Sequence, residues 1–256
     1  MLVAAAVCPC PPLLVPEVAA GAAPELDAAR AACSDVLGVL AASRPDRLVV
    51  VGPAGARGRG THAQGARGSF RGFGVDLDVR LGAAPTGAAD PHEGEADPHA
   101  GEEGAAGELP VSLAVAGWLL ERTKWSAAPL EGLGVAEPLE AERCIRLGEE
   151  IAARAERVAL LVMGDASACR TLKAPGYLDE RAAGFDAAVA RALAAADVTA
   201  LKELDADLAG QLKAAGRAPW QVLAGAAGAQ GGADLSGELL FDDAPYGVGY
   251  LVAAWS

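Results

Sequence analysis

Two cysteines lie one residue apart after the first apolar run of the chain, in VAAAVCPCPPLLVPEV at residues 3–18. Thiols at Cys8 and Cys10 could bind a soft metal ion or take part in redox chemistry. Their spacing is shorter than that of the CxxC motifs typical of zinc and dithiol redox sites, and the sequence contains no second pair of this kind. Cys8 is predicted to be a small buried side chain, whereas Cys10 follows the strand and is predicted to face a strand-end crevice.

A second set of reactive side chains follows the apolar run VALLVM at 158–163. The next segment, GDASACR, carries Asp165, Ser167, Cys169 and Arg170. Loops after the carboxyl ends of strands hold the sites of many α/β proteins, so Asp165 and Cys169 are predicted to be catalytic together with Cys10. Thiol chemistry requires a lowered cysteine pKa, for which Arg170 is the nearby cation in the sequence.

Histidine-based and phosphate-binding chemistry have little support in the sequence. The histidines are His62, His92 and His99, and the last two each end a DPH triplet in an acidic segment. So few imidazoles argue against a histidine-based catalytic or metal site. The segment GPAGARGRG at 52–60 lacks the Lys-Ser/Thr ending of a P-loop. Its arginines, with Arg67 and Arg71, form a locally basic loop that could hold an anionic small molecule.

The composition predicts a cytoplasmic protein, and the sequence leaves open whether its partner is a small molecule or a protein. A net charge of −13 argues against nucleic acid and membrane surfaces as partners. No window holds the roughly 18 apolar residues of a membrane span, and no basic segment of a signal peptide precedes the apolar start. The five widely spaced cysteines match the reduced thiols of a cytoplasmic protein. The composition is compatible with an oligomer.

The order of elements predicts one α/β domain over residues 1–256, with three layers in which helices flank a mostly parallel or mixed sheet. Strands are predicted at 1–7, 47–52, 75–81, 158–163, 237–241 and 248–255. Helices are predicted at 24–42, 111–123, 138–156, 185–196, 198–215 and 219–227. The segment 82–109 is rich in glycine, alanine, proline and acidic residues. It is predicted to be a flexible acidic insertion because it has little apolar surface to bury.

Six blocks of sequence together resemble a known family. They are CPCPPLLVPEV, RLVVVGP, VALLVMGDASACRTL, GYLDERAAGFDAAVARAL, LKAAGRAPWQVLAGA and APYGVGYLVAAW. In this order they resemble the subunit-B-like domain of class III extradiol ring-cleaving dioxygenases and the related Memo proteins, over most of the chain outside the acidic insertion. The resemblance implies a single α/β domain with its site at strand ends. In active members, two histidines and a carboxylate hold Fe(II) and leave positions open for a catecholic substrate and oxygen.

The positions that match the metal ligands of this family carry other residues here. The first-strand HPP motif matches Cys10-Pro11-Pro12, and the second-strand SPH motif matches Gly52-Pro53-Ala54. The GD-x-SH loop matches 164–169, with Ala168 or Cys169 in place of the histidine, and the late Cys-Gly block matches 214–217. We therefore expect no metal cofactor. The predicted pocket residues are Pro11, Ala54, Ser167, Arg170, Ala215 and Gly216.

Three functional hypotheses remain open at this point. The first is a catalytically degenerate member of the family that keeps a strand-end pocket for small-molecule binding or interaction. The second is an active Fe(II)-dependent dioxygenase or other metalloenzyme with a rearranged ligand set, in which Cys10 and His62 bind the metal and Asp165 or Glu17 completes the site. The third is a thiol-based redox protein that uses Cys10 and Cys169.

Overall fold

Seven strands form a mixed sheet whose four inner strands run parallel. The computed structural model describes residues 1–83, 108–229 and 235–256. The strands are β1 (Leu2–Cys8), β2 (Arg47–Pro53), β3 (Gly60–Ala63), β4 (Arg67–Ser69), β5 (Asp78–Arg80), β6 (Leu130–Val135), β7 (Val158–Met163), β8 (Gly237–Asp243) and β9 (Tyr250–Trp255). The order in the sheet is β3-β6-β2-β7-β1-β9-β8, and β4 pairs with β5 in a separate two-stranded sheet. The inner strands β6, β2, β7 and β1 are parallel, whereas β3, β9 and β8 are antiparallel to their neighbours.

Helices cover both faces of the sheet, which makes three layers. They are α1 (Pro16–Ala19), α2 (Asp27–Ala42), α3 (Val111–Arg122), α4 (Ala141–Ala152), α5 (Ala182–Ala194), α6 (Val198–Lys202), α7 (Ala206–Gln211) and α8 (Arg217–Ala227). Because side chains alternate along a strand, Val49 and Val51 of β2 pack with α4, α5 and α8, whereas Leu48 and Val50 pack with α2 and α3. The predicted fold class, one α/β domain with helices flanking a mixed sheet, is confirmed.

Several predicted elements differ from those observed. β6 was not expected, because LEGLGV has two glycines and only one β-branched residue. The helix predicted at 198–215 is two short helices, since the Asp205 carboxylate caps the second by accepting from the N–H groups of Asp207 and Leu208 at 2.8 and 3.0 Å. The helix predicted from Pro24 begins at Asp27, after a 3₁₀ segment over Ala20–Leu26.

Three further expectations concern the acidic segment, a membrane span and the strand at 75–81. The predicted insertion at 82–109 lies outside the described residues except for 82–83 and 108–109, and so do His92 and His99. Among the described residues, no helix has the length and apolar character needed to cross a membrane. The strand predicted at 75–81 is the shorter β5, which joins the small sheet and not the central one.

The parallel order brings the carboxyl ends of four strands to one edge of the sheet. Two close approaches between backbone segments shape this edge, and both occur at glycine. A side chain at Gly164, after β7, would overlap the backbone of Gly216 at the start of α8, and one at Gly134 in β6 would overlap the carbonyl of Gly58. The Gly216 N–H also donates to the Asp165 carbonyl at 2.8 Å. The loops that form the site are therefore packed backbone against backbone.

Candidate functional site

A cleft of about 960 Å³ opens at the carboxyl ends of the parallel strands. Residues from the loops after β1, β2 and β6 line it, together with the start of α3 and the small sheet. They include Cys10, Pro53, Ala54, Arg57, Phe73, Leu109, Ser112 and Glu137. The volume lies in the range of small-molecule sites, about 300–1,000 Å³. Cys10 and Ala54, both predicted site residues, therefore lie in one cleft.

Cys10 and Asp165 are joined directly. The Cys10 N–H donates to Asp165 Oδ1 at 2.8 Å, which links the loop after β1 to the loop after β7. Burial raises the pKa of the Asp165 carboxyl from 3.8 to about 7, although the Cys10 N–H acts in the opposite direction. Burial also raises the pKa of the Cys10 thiol, and the nearby carboxylates of Asp165 and Glu137 raise it further. Near neutral pH the thiol is therefore protonated, and Asp165 is poised to hold or release a proton.

Arg217 holds in place the loop after β6, and this loop places Glu137 at the rim of the cleft. Its side chain is buried at the first position of α8. The guanidinium donates to the carbonyl oxygens of Glu137 and Leu139 and, at 3.0 Å, to Gln221 Oε1. Because these donors are already engaged within the protein, Arg217 acts as a support for the loop after β6.

Sequence reasoning missed three side chains at this edge. Tyr250 is buried at the start of β9, and burial raises the pKa of its hydroxyl, with a smaller effect from the Asp165 carboxylate. Ser112 lines the cleft and donates to the Pro53 carbonyl at 2.7 Å, which anchors α3 to the end of β2. Phe73 lines the cleft and is 44% exposed. The dispersed positions of these residues in the sequence offered no motif by which to find them.

Ser167 and Arg170 belong to a different cluster, centred on a carboxylate that was not predicted. Asp186 of α5 is buried and accepts from the N–H and the hydroxyl of Ser167, both at 2.8 Å. Arg170 Nη1 donates to the same carboxylate at 3.0 Å. This cluster ties the loop after β7 to α5, and neither Ser167 nor Arg170 lines the strand-end cleft.

The structure does not bring Cys169 and Cys10 together. Cys169 packs in the core on the α5 and α8 side of the sheet, whereas Cys10 packs with α2 and α3. The Cys169 thiol donates to the Leu212 carbonyl at 3.4 Å, and burial raises its pKa. Ala215 and Gly216 also lie outside the cleft lining, although Gly216 contacts the backbone of Asp165. Pro11 is buried and its carbonyl accepts from the Leu14 N–H in the following turn.

No family model and no curated protein match this chain. The fold is similar to that of the uncharacterized protein JW3007 from Escherichia coli K12, with a TM-score of 0.53. That similarity covers 99% of each chain at 15% sequence identity. The likeness is one of fold. It supports the architecture of the described residues and carries no information about a ligand.

The side chains present at the cleft do not fit a dioxygenase Fe(II) centre. Such a centre needs two imidazoles and a carboxylate, and no histidine lines the cleft within the described residues. His62, the alternative ligand, is buried in β3 with Nε2 2.9 Å from the Gly58 carbonyl. Among those same parts of the chain, no group of three or more His, Cys, Asp and Glu side chains could hold a metal ion.

Proposed function

We propose that this protein binds a small organic molecule in the strand-end cleft and is a catalytically degenerate relative of the class III extradiol dioxygenases. The observation that carries the proposal is the cleft itself, of about 960 Å³, at the carboxyl ends of parallel strands. α/β proteins with this arrangement bind ligands at that edge of the sheet.

The side chains at the positions that match metal ligands support the proposal that this protein has no dioxygenase activity. In the resemblance to the dioxygenases, Cys10 and Ala54 stand where imidazoles would bind iron. A thiol and a methyl group cannot replace two neutral imidazoles for Fe(II). The thiol hypothesis has less support, because reactive cysteines have lowered pKa values and burial raises the pKa of both Cys10 and Cys169.

The charges around the cleft suit a small polar ligand. Arg57 lies exposed in the loop after β2, and the carboxylates of Glu108 and Glu137 lie on the rim. The buried side chains of Cys10 and Ala54 supply an apolar floor. A ligand with an apolar body and a polar or charged edge would satisfy both parts of this lining.

Iron content and oxygen uptake test the proposal that the cleft holds no Fe(II) centre and cleaves no catechol. Full-length protein incubated anaerobically with Fe(II) and desalted is expected to hold far less than one iron per chain. It is also expected to consume no oxygen with catechol. Stoichiometric iron that is lost in Cys10→Ala, with catechol-dependent oxygen uptake, would overturn this part.

Calorimetric titration with catechol as the probe tests the binding part. Saturable binding is expected, and Arg57→Ala should weaken it severalfold because Arg57 lines the cleft. Arg59→Ala is the matched control, since Arg59 is also exposed but lies outside the cleft lining. Absence of saturation, or equal effects of the two substitutions, would contradict a ligand site in this cleft.

A further inference from the structure

A second groove lies between the loop after β7 and the turn that joins β8 to β9. Its volume is about 670 Å³. The lining residues are Arg170, Thr171, Leu172, Lys173, Leu178, Pro245 and Tyr246. Leu172 is 62% exposed and Leu178 is 44% exposed, so two large apolar side chains of the groove face solvent. Neighbouring exposed apolar side chains of this kind often mark a binding surface.

The charge of this groove differs from that of the protein as a whole. The chain has a net charge of −13, yet within the described residues the groove is lined by two cations and no carboxylate. The strand-end cleft, by contrast, carries Glu108 and Glu137 beside Arg57. Asp186 and Asp242, which do not line the groove, partly neutralise Arg170. Lys173 lines the same groove and is exposed, whereas Arg170 is half-buried, so Lys173 provides the more accessible positive charge.

The walls of the groove are held in place by backbone contacts. The Arg170 N–H donates to the Gly247 carbonyl at 3.0 Å, and the Ala174 N–H donates to the Thr171 carbonyl at 3.1 Å. Gly247 has a φ of +75°, and a Cβ there would lie 2.6 Å from both Ala174 Cβ and Thr171 Oγ1. The two loops are therefore interlocked. A site that is already formed loses less conformational entropy when its ligand binds.

We propose that this groove is a second ligand site, which binds an amphipathic organic anion. The anionic head would contact Lys173 and the donors of Arg170 that Asp186 does not occupy, since a guanidinium has five N–H donors and Asp186 accepts from Nη1. The aliphatic part would lie on Leu172, Leu178, Pro245 and Tyr246. The size of the groove, about 670 Å³, matches a ligand with a single alkyl chain and not a folded partner.

Titration of the full-length protein with decanoate, below its micelle concentration, tests the proposal. Calorimetry is expected to give one saturable site. Lys173→Ala should weaken binding about tenfold, as expected for loss of one charge-assisted hydrogen bond. Arg59→Ala removes the same charge from an exposed position outside the groove and should leave binding unchanged. Leu178→Ser should also weaken binding, because it removes apolar contact without removing charge.

Three outcomes would overturn the proposal. Equal binding of decyltrimethylammonium, which has the same chain and the opposite charge, would show that charge does not select the ligand. Equal effects of Lys173→Ala and Arg59→Ala would place the site elsewhere. Self-association in analytical ultracentrifugation that Leu178→Ser abolishes and decanoate does not reverse would assign the apolar surface to a second copy of the chain.

Discussion

Replacing Asp165 by asparagine should remove most of the pH dependence that this carboxyl imposes on stability. The folded protein raises its pKa from 3.8 to about 7, so the folded state holds a proton that the unfolded state has released. Stability from this group is therefore present at low pH and is lost as the pH rises through about 7. Each pH unit between the two pKa values corresponds to about 1.4 kcal/mol. About two such units lie between pH 5 and the folded-state pKa, so the loss is about 3 kcal/mol and is complete by pH 8.

Guanidinium unfolding at pH 5, 6, 7 and 8 measures this effect. The free energy of unfolding of wild type should fall relative to that of Asp165→Asn by about 3 kcal/mol over this range. Asparagine keeps an oxygen that can accept from the Cys10 N–H, so the hydrogen bond across the two loops is preserved in the variant. Asp179→Asn is the control. Arg181 holds the pKa of Asp179 at about 2, and its contribution is constant above pH 5. Parallel curves for wild type and Asp165→Asn, within about 0.5 kcal/mol, would refute the reasoning.

Two further predictions concern the thiols and the Asp186 cluster. All five cysteines are buried, so a disulfide exchange reagent at pH 7.5 should label them far more slowly in native protein than in guanidinium; rapid native labelling of Cys10 would contradict the raised pKa. Asp186→Ala should destabilise the protein by about 2–4 kcal/mol, because it leaves the N–H and the hydroxyl of buried Ser167 without an acceptor. Asp179→Ala, at a more exposed ion pair, should lower the free energy of unfolding much less, because solvent screens exposed ion pairs. If urea unfolding gave equal losses of free energy of unfolding for the two variants, the Asp186 cluster would contribute no more to stability than an exposed ion pair.

The parts of the fold that follow from local pattern were predictable. β2 and β7 are short runs of valine, leucine and other apolar residues, and a run of this kind bounded by glycine indicates a buried strand. β6 was missed because its glycines are required by tertiary contacts. Gly134 is small so that the carbonyl of Gly58 can pass close to the strand, and no local propensity encodes that approach.

The site was predictable at the level of the sheet edge and not at the level of side-chain partners. The strand-end rule places Cys10, Ala54 and Asp165 in loops at one edge, and the structure joins Cys10 to Asp165. The same rule does not say on which side of the sheet a loop residue packs. Cys169 and Arg170 follow Asp165 closely in sequence, yet the turn of the loop directs them toward α7 and α5.

The contact between Gly164 and Gly216 has a consequence for the substitutions that this edge tolerates. Side chains at the sheet edge can be exchanged without a change in the path of the backbone. A backbone contact allows much less change, because any Cβ at Gly164 would overlap the neighbouring loop. The backbone of this chain therefore requires glycine at position 164. This contact therefore limits which substitutions the sheet edge accepts, whatever the reactive residues around it do.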